Sequence, residues 1–214
     1  MNKKWRDAAI IAMRSAADTE QDEKGHDSIP RESSTYNYRW EHVTAVVALA
    51  LKLAHILDAD VEVVEAAAWL HDVTKVDGEC HAETGAVFAK DFLTGTDFPQ
   101  EKIDEVAQAI ADHKGLWRET PLTNLSSQIL WDADKLSKLG LTAVIHWTSM
   151  ILTGEQPVST SDLISLQRNL EWQQKTVKSL HTRPAQHAAR QRLKEFQRFW
   201  NILEAELGGD DLQP

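Results

Sequence analysis

The residues best equipped for chemistry are His71 and Asp72, which close the run Val64-Glu65-Ala66-Ala67-Ala68-Trp69-Leu70. An imidazole and a carboxylate stand where an alanine-rich apolar helix should be finishing its burial. Buried ionisable groups are costly unless they are paired or coordinate a metal. Neighbours on a helix lie about 100° apart, so both side chains can converge on one ion at a helix end. On a strand they would point to opposite faces. Further candidates fall on apolar stripes or at helix ends: His42 upstream, then His81, His113 and Asp134. Imidazole with carboxylate oxygen suits Mn, Fe, Co, Ni or Zn, and the chain has no thiol cluster. A single histidine of this kind is more often a hydrogen-bonded core residue. An adjacent pair must be compensated together, which favours a site.

The elements that position these groups are helical, since no segment alternates like a strand. Trp5, Ala9, Ala12 and Ala16 stripe an opening helix, and the polar stretch Asp18 to Ser34 reads as a surface loop. A helix from about Tyr36 to Leu57 is apolar on more than one face, which makes it central. After the break Asp58-Ala59-Asp60, Asp60 is placed to cap the helix that ends at His71-Asp72. Asp77-Gly78 signals a turn before a short helix from His81 to Leu93. Another helix runs from about Pro99 to His113, and the next from roughly Leu125 to Leu139. On that last helix Asp132 shares the main stripe with Leu125, Ile129 and Leu136, while Asp134 lies on a neighbouring face.

Gly140 and Gly154-Glu155-Gln156-Pro157 bracket one more apolar helix, and two long helices follow. The first carries Leu163 to Leu180. The second starts at Thr182-Arg183-Pro184, with a capping hydroxyl and Pro near N1, and ends at Gly208-Gly209. The expected architecture is all-α: an N-terminal helix and loop over 1–35, a helical bundle over 36–158, and a C-terminal hairpin over 159–209. That hairpin belongs to the same globule, and residues 210–214 form a tail expected to be disordered.

Composition narrows the function. The 33 acidic residues outnumber the 23 basic ones, giving a net charge of −10. That is a poor footprint for extended nucleic-acid binding, although a small phosphorylated substrate needs only local cations or a metal. No run of about 18 apolar residues suggests a membrane span. The lone Cys80 fits a cytoplasmic location. The eight Trp residues fall mostly beside aliphatics at helical spacing and are expected in the core. The basic face Arg190, Arg192, Lys194 and Arg198 reads as solvated.

Several segments resemble, in order, the motifs of the HD superfamily of metal-dependent phosphohydrolases. These are Arg39-Trp40-Glu41-His42, Leu70-His71-Asp72-Val73-Thr74-Lys75, His81-Ala82-Glu83-Thr84-Gly85-Ala86, Ala109-Ile110-Ala111-Asp112-His113 and Asp132-Ala133-Asp134-Lys135-Leu136. The resemblance implies an HD-domain helical bundle. It implies a first metal held by His42, His71, Asp72 and Asp134, with Asp72 bridging to a second held by His81 and His113. Metal-bound hydroxide would then attack phosphorus in a nucleotide or similar small phosphate ester. Periodicity favours Asp132 where the family motif favours Asp134, so Asp132 is expected to orient a histidine from behind the ligands. Asp72 and Lys75 join Asp132 as catalytic candidates, and Lys75, Arg39, Lys114 and Arg118 as phosphate contacts. Asp77 and Glu79 are candidate general acids. Two alternatives stay open: an HD-type di-iron oxygenase using the same six ligands, and a non-catalytic nucleotide-binding module. Oligomeric state is unreadable.

Overall fold

A computed structural model describes residues 4–24, 36–152, 159–167 and 171–212, and the described residues are helical with no strand. Helix α1 (Trp5–Lys24) is followed by α2 (Tyr38–Leu57) and α3 (Val61–Leu70). A 3-10 segment, Lys75–Cys80, leads into α4 (His81–Thr94), and a second, Gln100–Lys102, precedes α5 (Ile103–Asp112). Then come α6 (Leu125–Ser137), α7 (Leu141–Leu152), α8 (Thr160–Gln167), α9 (Glu171–Lys178) and α10 (Arg183–Gly208).

The core explains the order. Val43, Val46 and Ala50 of α2 bury against Val63, Ala67 and Leu70 of α3 and Ile129, Leu130 and Ala133 of α6. Val106 and Ile110 of α5 and Leu93 of α4 complete the same cluster. Helix α2 is long and apolar enough to cross a membrane by composition alone. Here it is the central helix of the bundle, packed against α3 and α6. Its N-cap is Asn37, whose side chain accepts from Trp40 N–H and donates to the Ala17 carbonyl, tying α1 to α2. Asp58 closes it with φ 52° and ψ 42°, and Asp60 caps α3 through the Glu62 and Val63 amides. A smaller cluster, Ala143, Val144, Ile164, Phe196 and Trp200, joins α7 and α8 to α10.

Four expectations change. Residues Asp18 to Lys24 continue α1 rather than forming a loop, because Arg39 holds Glu20 and Asn37 holds this helix end; residues 25–34 lie outside the described ones. The buried stripe of α1 is Trp5, Ala9, Met13 and Ala17. The helix expected from Leu163 to Leu180 is described as α8 and α9, with 168–170 outside the described residues, as are 153–158. Finally, Asp210 and Leu212 belong to a turn that closes α10: Gly209 takes φ 72° and the Asp210 amide donates to the Ala205 carbonyl.

Candidate metal centre

Four helix ends and one helix centre bring the chemistry together. His42 comes from the second turn of α2, His71 and Asp72 from the end of α3, His81 from the first position of α4, His113 from the end of α5, and Asp134 from within α6. All six are buried. Their donor atoms form two groups within 4.8 Å: His42, His71 and Asp134, and Asp72, His81 and His113. Asp72 faces both. Its Oδ2 lies 3.6 Å from His42 Nε2 and 3.7 Å from His71 Nε2, and its Oδ1 lies 3.7 Å from His81 Nε2 and 3.6 Å from His113 Nε2.

The protonation pattern follows from the other ring nitrogens. His71 Nδ1 lies 2.8 Å from the Ala68 carbonyl, His81 Nδ1 2.6 Å from that of Gly78, and His113 Nδ1 2.5 Å from that of Ile110. A carbonyl only accepts, so each Nδ1 carries the hydrogen. His42 Nδ1 sits 3.1 Å from Ser137 Oγ, whose own hydrogen goes to the Asp134 carbonyl, so it donates too. Burial pushes His42 down to about 4 and His71 down to about 3, and lowers His81 as well. At neutral pH His42, His71 and His81 are therefore neutral, each with its lone pair on Nε2. His42 Nε2 faces Asp134 Oδ1 at 3.2 Å, which sets two acceptors against each other. His42 Nε2, His71 Nε2, His113 Nε2 and Asp72 Oδ1 are buried without a hydrogen-bond partner. Such orphans are rare and costly. Converging lone pairs and carboxylate oxygens are what a divalent transition metal completes, so the residues fit one or two such ions.

Cations hold the carboxylates charged. Arg39 donates to Asp72 Oδ2 and, from the other side of its guanidinium, to Glu20 at 2.7 Å. Lys135 donates to Asp134 and, at 2.9 Å, to the His113 carbonyl, and Lys138 reaches Asp134 Oδ1 at 2.5 Å. Despite their burial, Asp72 and Asp134 stay well below the usual carboxylate range; Arg39 and Lys75 act on the first, Lys135 and Lys138 on the second. Lys75 is partly exposed, 3.0 Å from His81 Nε2 and 3.4 Å from Asp72 Oδ1. The turn before α4 depends on Gly78, at φ 61° and ψ −121°, whose carbonyl orients His81.

Other predicted residues go elsewhere. Asp132 is fully buried but faces the C-terminal hairpin: it accepts from the His181 amide at 2.8 Å and the Thr182 amide at 2.7 Å, and the histidine it orients is His181. It therefore fixes the chain entering α10, and the Thr182 hydroxyl, expected to cap that helix, makes no hydrogen bond. Arg39 is a buried clamp on Asp72 rather than a surface phosphate contact. Lys114 pairs with Glu83 at the surface, and Arg118 is pinned to the Asp112 and Thr120 carbonyls and lies over Trp131. Asp77 and Glu79 are exposed. Arg192 is drawn out of the basic face to the Leu136 carbonyl at 2.5 Å. Sequence reasoning missed Lys135, Ser137 and Lys138, although the last two stand three and four residues after Asp134, on its side of the helix. It also missed Glu20, which has no local signal.

The lowered histidines predict an acid-labile metal-free fold. Unfolded imidazole takes up protons near 6.5, whereas His42 and His71 hold out to about 4 and about 3. Below pH 6.5 the unfolded state binds more protons, so stability falls with pH. Asp72 and Asp134 add a further loss from the ordinary carboxylate range downward, at lower pH than the histidines. Thermal melts of chelator-treated protein from pH 7.5 to 4.5 should show the midpoint falling progressively below about pH 6.5. Melts that hold level to pH 5 would contradict it.

The HD domain family model matches residues 39–139, the span that carries all six ligand candidates. No curated protein matches the chain. Among solved structures, a predicted HD superfamily hydrolase from an uncultured Thermotogales bacterium aligns with a TM-score of 0.64 and 24% identity, over 94% of this chain and 92% of that one. Bacillus subtilis YpgQ, solved in complex with ADP, aligns with a TM-score of 0.62 and 19% identity, over 93% and 100%. An HD-superfamily hydrolase from Bacillus thuringiensis aligns with a TM-score of 0.58 and 17% identity, over 92% and 96%. These likenesses show a shared fold along nearly the whole chain. Residues 39–139 match the HD domain, and the chain has the fold of these HD superfamily hydrolases.

Proposed function

We propose that the protein is a metal-dependent phosphohydrolase acting on a nucleotide or other small phosphate ester. The observation that carries this reading is the two-faced Asp72, with bare histidine lone pairs against each oxygen. His42, His71, Asp72 and Asp134 would hold one ion, and Asp72, His81 and His113 a second. Ions bound there supply a water of lowered pKa and neutralise charge developing on phosphoryl oxygens.

The rest of the work falls to this chain's own side chains. Arg39, Lys135 and Lys138 keep both carboxylates ionised and fix their direction. Lys75, partly exposed beside Asp72, is the cation best placed to meet an incoming phosphate. Nucleotides come first as substrates because YpgQ, of similar fold, was solved with ADP.

Metal analysis of the purified protein should find one or two equivalents of a divalent transition metal. Phosphomonoesters, nucleoside triphosphates and dinucleoside polyphosphates should then be screened. Hydrolysis of one class should vanish on chelation and return with metal. Metal-loaded protein that cleaves none of them would overturn the reading. Bound iron with oxygen consumption on an organic substrate would replace it by the oxygenase.

A further inference from the structure

A cavity of about 280 Å³ opens between the connection that follows α5 and the junction of α9 with α10. None of the six ligand candidates lines it. Pro121, Leu122 and Leu180 supply apolar wall, and Arg118 and Lys178 bring two cations to it. The volume is several times that of a water molecule and stands at the small end of ligand pockets.

The Arg118 guanidinium is held still without being neutralised. Its Nε donates to the Thr120 carbonyl at 2.7 Å, its Nη1 donates to the Asp112 carbonyl at 3.1 Å, and it lies 5.0 Å over the Trp131 ring. None of these partners is a carboxylate, and Nη2 bonds no described residue. Lys178 pairs with no described residue either, in a chain of net charge −10. Glu119, the acid on this wall, is exposed and pairs with neither cation. A fixed guanidinium with donors to spare loses little freedom on binding and suits phosphate oxygens. The neutral lining supplies the opposite polarity. Gln128 and Gln186 spend amide hydrogens on the Leu122 carbonyl at 2.7 Å and the Leu180 carbonyl at 2.9 Å, which leaves each Oε1 to accept. Cationic donors beside amide acceptors match a phosphate carried on a hydroxylated body. The walls also reach toward the metal centre. Arg118 grips the carbonyl next to His113, and His181 joins the Leu122 amide to Asp132, two residues before Asp134.

We infer that this cavity is a second ligand site, apart from the metal centre, for a small phosphorylated polyol or sugar. Its phosphate meets Arg118 and Lys178, and its hydroxyls meet Gln128 and Gln186. An occupant braces the Arg118 and His181 walls, and with them the backbone beside His113 and Asp134. Calorimetry on the protein as purified tests this, with glycerol 3-phosphate as the probe and glycerol as its uncharged control. Glycerol 3-phosphate should bind and glycerol should not. Arg118→Gln and Lys178→Gln should each weaken it about tenfold, the loss of one charge-assisted contact. Lys178 is exposed and bonds no described residue, so its variant keeps the fold whatever Arg118→Gln does to its loop. Lys75→Gln, beside the metal centre, should leave the affinity as in wild type. Amide hydrogen exchange should slow over 112–122 and 178–186 when the probe is bound. Inorganic phosphate should bind more weakly, and affinity equal to that of the ester would overturn the polyol as occupant. No binding, wild-type affinity in both glutamine variants of the cavity, or a loss in Lys75→Gln with protection only around 71–81 would overturn the site. Every readout is binding, so a protein that hydrolyses nothing would remove the phosphohydrolase reading and leave this site standing.

Discussion

Asp72→Asn should strip the protein of both ions at once and reduce any metal-dependent turnover by on the order of 10³-fold, the several kcal/mol that metal catalysis supplies. The reason is geometric. Asp72 turns an oxygen toward each group, Oδ2 toward His42 and His71, and Oδ1 toward His81 and His113. An asparagine keeps the shape but not the charge. Its amide offers one neutral oxygen, so a bridge between two cations is lost. The fold should survive, because Arg39 retains Glu20 as an ionic partner. Metal content by elemental analysis, a cooperative melt and kcat on the screened substrate decide the matter together. A variant that melts cooperatively, keeps its metal and loses less than tenfold in kcat would show that Asp72 is not the bridge.

How much of this was legible in the sequence depends on what each signal reports. The dipeptide His71-Asp72 stood out because two ionisable groups closed an apolar helix, and the same logic placed His42 and His113 on buried stripes. Caps were equally readable where the partner is local, as with Asp60. Helical periodicity reports burial, and it fails where a helix is buried on every side. From Ser126 to Ser137, α6 has only Gln128 outside the buried set, so the stripe through Asp132 could not tell one carboxylate's direction from the other's. Long-range polar pairs leave no periodic trace. Glu20 and Arg39 meet across 19 positions, and the polar composition around Glu20 argued for a loop, when its own ion pair draws the helix inward. Likewise nothing in Thr182-Arg183-Pro184 shows that the chain entering α10 is held by Asp132, 50 residues upstream. The candidate ligands were visible because each carries its own anomaly; Lys135, Ser137, Lys138 and Glu20 were not, because each is ordinary until it is paired.

The pair Asp132 and Asp134 therefore gives a second large and opposite pair of effects. Asp134 faces His42 at 3.2 Å and belongs to the donor group with His71, so Asp134→Ala should lose metal. It should also leave Lys135, 1% exposed and pulled down to about 8 by burial, without its carboxylate. Asp132→Ala should keep metal and lose stability. It orphans the two backbone amides at 2.8 and 2.7 Å and removes a negative charge from the N-terminus of the 26-residue helix α10. Unsatisfied buried donors of this kind cost about 3 kcal/mol together, which for a chain of this size lowers Tm by roughly 10 °C. The loss should concentrate in the hairpin, since His181 also accepts from the Leu122 amide through Nε2 and so couples α10 to the segment before α6. Amide hydrogen exchange over 180–190 should accelerate in Asp132→Ala while metal content stays at the wild-type level. If instead Asp132→Ala releases metal and Asp134→Ala keeps it, the direction in which α6 presents its two carboxylates has been read the wrong way round.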